Sequence, residues 1–140
     1  MTQIEPPRPT RPVTRLIGIY HADGGVLGEL RYVAGRLFGT AHCSLCDITH
    51  AGVRRKHSWD TMTASLGVGI ALLHLNELDA ELESAVQRSG SPAVLAVLDD
   101  GSLVEVLAPS ELDALGGSVA EFDNALRGSL TRCGLTLPAN

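Results

Sequence analysis

The residues predict one α/β domain: a four-stranded mixed sheet with flanking helices and a helical insert. Three observations carry this. Short apolar runs of strand length, at residues 15–20, 69–75, 93–98 and 102–107, alternate with stretches whose apolar residues recur at helical spacing. Asp99-Asp100-Gly101 separates the last two runs, a strong signal for a tight antiparallel hairpin. The chain has 140 residues, 44% of them apolar, and its 15 glycines sit mostly at element boundaries. That suits a single loop-punctuated domain with a real core.

The elements follow in order. Pro6, Pro7, Pro9 and Pro12 oppose both helix and sheet, so residues 1–14 are expected to be a disordered, polyproline-like tail. The domain proper is expected over 15–137. Arg15-Leu16-Ile17-Gly18-Ile19-Tyr20 reads as a buried strand ended by Asp23-Gly24-Gly25. Val26, Leu27, Leu30, Val33, Ala34, Leu37 and Phe38 form one stripe of a helix that Gly39 stops. Tyr32 falls off that stripe. An insert over about 40–66 follows. Thr40 can cap a helix whose first turn contains Cys43, and a second amphipathic piece carries Trp59, Met62 and Leu66. Gly69–Leu75 is the second strand. Asn76, with Asp79 three residues on, can cap a helix over Glu77–Ser89. Ala93–Leu98 and Ser102–Leu107 are the hairpin strands. Ser118 and Glu121 make a capping box for a last helix with Val119, Phe122, Ala125, Leu126 and Leu130 inward.

Composition limits the function. The formal net charge of −5 gives no long-range attraction to nucleic acid or anionic lipid. The longest apolar run, Val68–Leu75, is broken by Gly69 and His74 and falls far short of the ~20 residues a membrane span needs. No secretory signal is visible, so a cytoplasmic location with reduced thiols is expected.

The stretch His42-Cys43-Ser44-Leu45-Cys46-Asp47-Ile48-Thr49-His50 holds two of the three cysteines and two of the five histidines. Cys43 and Cys46 have the spacing of a redox pair, with Cys43 expected to be the more nucleophilic because it lies nearer a helix N-terminus. A helix dipole supplies only ~0.3–1 kcal/mol, so a strongly acidic thiol also needs a cationic neighbour, His50 or Arg54-Arg55. The alternative is metal. Cys43, Cys46, Asp47 and His50 would share one helix face, and Cys43, Cys46 and His50 are soft donors suited to zinc, copper or iron. His42 or His21 would be the fourth ligand, with His57 and Cys133 as further candidates. Two coincidentally buried thiols are the bland alternative.

The other motifs are weaker. Arg54-Arg55-Lys56-His57 reads as a solvated helix face or a small anion site. Gly24-Gly25-Val26-Leu27-Gly28 follows a strand as phosphate loops do, but lacks the Lys-Ser/Thr that such loops carry, so a tight turn is the better reading. His21 and Asp23 flank it as an acid–base pair or a local turn contact. His74 reads as a core or edge histidine within its strand, and Cys133 as a packed thiol.

The order strand, helix, insert, strand, helix, strand, strand, helix resembles the thioredoxin fold. The most specific local match is Gly90-Ser91-Pro92-Ala93-Val94-Leu95-Ala96-Val97-Leu98-Asp99-Asp100-Gly101-Ser102-Leu103. Thioredoxin-like proteins carry such a proline, in cis, before their third strand, and the resemblance covers roughly residues 15–132. It implies a cis Ser91–Pro92 bond, while the dithiol reading of Cys43 and Cys46 calls for a redox partner protein. In that family the CxxC directly follows the first strand, where this chain reads Tyr20-His21-Ala22-Asp23-Gly24-Gly25. A helix over Val26–Phe38 would be roughly 20 Å long, so Cys43 and Cys46 are expected at the pole opposite Pro92 unless the insert folds back.

Overall fold

The computed structural model describes residues 10–21, 43–51 and 54–138. The expected helix Val26–Phe38, the glycine turn, Asp23, Tyr32, Thr40 and His42 lie outside them, as do residues 1–9.

The first strand, β1 (Arg11–Ile19), begins earlier than its apolar run suggests. The sequence places Arg11 and Pro12 in the tail, yet they pair in parallel with a two-residue strand, β7 (Leu135–Thr136), and Val13 is buried. A proline is tolerated there because it sits in the first residues of the strand, where few ladder bonds are required of it. From Leu16 to Ile19, β1 runs parallel to β4 (Ile70–Leu73). On its other side it pairs antiparallel with β5 (Ala93–Leu98), which in turn pairs antiparallel with β6 (Leu103–Leu107). The order is β4-β1-β5-β6, with β7 beside β1 as a fifth strand beyond the four expected.

Every residue of β5 is buried, as a central strand covered on both faces must be. The hairpin that follows forms as its sequence dictates. Gly101 takes φ +82, and the Asp100 carboxylate accepts from the Ser102 backbone N–H (2.9 Å) and hydroxyl (2.6 Å). The Ser91–Pro92 peptide is cis.

Alternation along β1 divides the core. Leu16 and Tyr20 face a large cluster under α1 (Ser44–Thr49), α2 (His57–Ala64), α4 (Pro109–Asp113) and α5 (Val119–Arg132). Trp59 and Phe122 are its largest members, with ring centroids 5.0 Å apart. Burying a side chain of this kind stabilises by about 1.5–3 kcal/mol. Ile17 and Ile19 face a smaller cluster under α3 (Ala80–Ser89). Gly18 lies between Leu16 and Tyr20 on the large face. A Cβ there would meet Leu72 Cδ2 at 2.9 Å and Leu45 Cδ2 at 3.3 Å, so α1 and β4 close directly over a bare backbone.

Caps explain the remaining boundaries. Asp79, not Asn76, caps α3 by accepting from Leu82 N at 2.9 Å. Ser118 caps α5 by accepting from Glu121 N at 3.2 Å. Pro109 opens α4, a short helix with no counterpart in the sequence expectations, at the position where a missing N–H matters least. His74 lies just beyond β4 and opens a 3-10 turn (Leu75–Glu77), its ring 2.5 Å from Glu77 Oε1, rather than sitting inside the strand.

Candidate thiol site

The insert is not wholly helical. α1 spans six residues and gives way to a hairpin, β2 (His50–Ala51) paired with β3 (Arg54–Arg55), before α2 begins. The basic run is therefore a strand and a cap, not a helix face. Arg55 pairs with Asp60 (2.8 Å), and Lys56, the N-cap of α2, donates from Nζ to Gly117 O (2.7 Å). His50 leaves the helix in extended backbone (φ −128, ψ 148), so it does not share a helical face with Cys46.

Cys43 itself is the N-cap of α1, in place of the expected Thr40. Its Sγ accepts from Cys46 N at 3.3 Å and from His21 N at 3.4 Å. The second contact fixes the site in the fold. His21 follows Tyr20 at the carboxyl end of β1, and its ring Nδ1 lies 2.8 Å from Ser91 Oγ, next to Pro92. The cysteines thus stand at the same pole as Pro92, which corrects the expected separation. The chain leaves this pole at His21 and is back at it at Cys43.

Cys43 and Cys46 approach to 2.7 Å, and no disulfide joins them. Cys43 is fully buried, whereas Cys46 is partly exposed. Hydrogen bonding with the Cys46 side chain draws the Cys43 thiol below its ordinary value; burial opposes this, and the His21 and Cys46 N–H groups reinforce it. The expected cationic neighbour is not among these causes, and the nearby carboxylate of Asp47 pushes the other way. A six-residue helix has little dipole to offer, and discrete donors take its place.

Two residues of this site, Tyr20 and Thr49, are not singled out by the sequence. Tyr20, Thr49 and His50 form a hydrogen-bonded chain, with 2.9 Å from Tyr20 Oη to Thr49 Oγ1 and 2.6 Å from Thr49 Oγ1 to His50 Nδ1. The Tyr20 ring lies between His50 (centroids 6.2 Å, edge-on) and His74 (5.0 Å, tilted). Burial pushes the Tyr20 phenol well up, against the Thr49 hydrogen bond, and the two cysteines add to the rise. A buried tyrosine needs a hydroxyl partner, and its place at the end of the first apolar run was the available signal. Ser44, between the cysteines, buries a hydroxyl with no hydrogen-bond partner among the described residues.

Among the described residues, no three His, Cys, Asp or Glu side chains are grouped to hold a metal ion. Cys43, Cys46 and His50 therefore do not form such a group, and His50 Nδ1 is hydrogen-bonded to Thr49 Oγ1. Of the further ligand candidates, His21 engages Ser91, His57 is exposed at the start of α2, and Cys133 is exposed at the C-cap of α5 rather than packed. No helix among the described residues is long and apolar enough to cross a membrane. In comparisons with protein-family models, with curated proteins and with solved structures, nothing matches this chain.

Proposed function

We propose that this chain is a thioredoxin-like protein in which Cys43 and Cys46 pass reversibly between dithiol and disulfide, exchanging two electrons with a redox partner protein. One observation carries the reading: Cys43 Sγ is held at the carboxyl end of β1 by two backbone N–H groups, in contact with Cys46. Donors aimed at sulfur favour the thiolate, which is the reactive form. The strand order β4-β1-β5-β6, with β1 and β4 parallel and the β5–β6 hairpin antiparallel, supports the thioredoxin-like assignment. A cytoplasmic location, where a dithiol is kept reduced between turnovers, suits this chemistry.

The test is thiolate absorbance against pH for the parent chain and for Cys43→Ser and Cys46→Ser, with mass spectrometry after mild oxidation. The Cys43 thiol is expected to titrate below its ordinary value of 9.0, and the oxidised parent is expected to hold a Cys43–Cys46 disulfide. An unperturbed thiol and no intramolecular disulfide would end this reading. Stoichiometric zinc, copper or iron, lost on replacing either cysteine, would put a metal site in its place.

A further inference from the structure

We propose that Cys46, not Cys43, is the thiol that meets an external disulfide, and that Cys43 is the resolving thiol that closes the bond within the protein. This rests on the dithiol reading above and assigns an order to its steps.

The argument begins with access. Cys43 has 0% of its surface exposed, while Cys46 retains part of its own. The Cys43 sulfur is further occupied by N–H donors from two directions, His21 at the strand end and Cys46 in the first helical turn. Thiol–disulfide exchange needs one sulfur to reach another, so exposure decides which thiol can begin. The two cysteines are already in contact, so the second step needs no solvent access.

The steps balance. Cys46 gives up its proton to solvent, and its thiolate attacks one sulfur of a protein or small-molecule disulfide R–S–S–R′. A Cys46–S–S–R mixed disulfide forms, and R′–S⁻ leaves and takes up a proton. The Cys43 thiolate then attacks Cys46 Sγ. The Cys43–Cys46 bond forms, R–S⁻ leaves, and two electrons have passed from the protein dithiol to the external disulfide. In reverse, an external thiolate attacks Cys46 and expels Cys43 as thiolate. The His21 and Cys46 N–H groups are in place to receive that charge, and a stabilised thiolate is the faster leaving group. One arrangement thus serves both directions.

The test uses the full chain with Cys133→Ser throughout, because Cys133 is exposed and would consume reagent. Oxidised glutathione is the probe. With Cys43→Ser, Cys46 is expected to take up one glutathione and keep it. With Cys46→Ser, Cys43 is expected to react at least about tenfold more slowly, and the two rates should converge in denaturant. Brief iodoacetamide labelling of the reduced Cys133→Ser chain, with both Cys43 and Cys46 present and followed by peptide mass mapping, gives the same answer without altering either: Cys46 should be labelled first. Label on Cys43 first, or on both at equal rates, overturns the assignment. If the parent still closes a Cys43–Cys46 disulfide, only the order of steps fails; if it never does, the dithiol reading itself fails.

Discussion

At its amino end β1 meets water, and at its carboxyl end it meets the cysteines. Arg11 reaches Asp99 (3.2 Å) and Asp100 (3.0 Å) across the hairpin, with all three side chains about half exposed or more. Tyr20 and Thr49, at the other end, are 4% and 0% exposed. Both ends are polar and both are hydrogen-bonded. They differ in what a lost partner leaves behind. At the hairpin, water replaces the partner and little changes. At the thiol pole burial shuts solvent out, and an orphaned group bears its full desolvation. Polar contacts on this strand therefore matter in proportion to burial, not to charge.

The sharpest way to break that comparison is Thr49→Val, which keeps the shape and removes the hydroxyl. Tyr20 Oη and His50 Nδ1 both lose this partner. Destabilisation by about 1–3 kcal/mol is expected in chemical denaturation; a neutral result would show that burial does not set the stakes here. Ser44→Ala reverses the sign. Its buried hydroxyl has no partner to lose among the described residues, so the alanine variant is expected to be more stable, by about 1 kcal/mol. A loss of stability would mean that the hydroxyl serves the site. The smallest effect belongs to the other end of the strand. Arg11→Ala should leave the denaturation midpoint unchanged at high salt and nearly so at low salt.

How much of this was legible depended on how local each cause is. The bounds of β5, the Gly101 turn and the Ser118 cap follow from a few adjacent residues, and they stand where the sequence puts them. So do Trp59, Met62 and Leu66 in the core. The start of β1 was not legible, because Pro12 obeys its local rule everywhere except in the first residues of a strand. The shared face of Cys46 and His50 failed at one residue: pairing of His50 with Arg55 ends α1 where helical spacing would continue it. The meeting of Cys43 with His21 was the least legible feature of all. It joins residues 22 apart, and no local pattern states where a chain returns after leaving a sheet.

Gly18 carries a consequence for anyone moving this motif. The separation between α1 and the sheet is set by Leu45 and Leu72 resting on a residue without a side chain. That clearance is smaller than one methyl group, so Gly18 works as a gauge for the height of the cysteines above the strand. A graft of residues 43–50 onto another sheet would carry the sulfurs but leave the gauge behind. Seated over alanine, the Leu45 methyl would have to give by a few tenths of an ångström, and that strain would fall on the helix that holds Cys43 before any residue of the motif itself had changed.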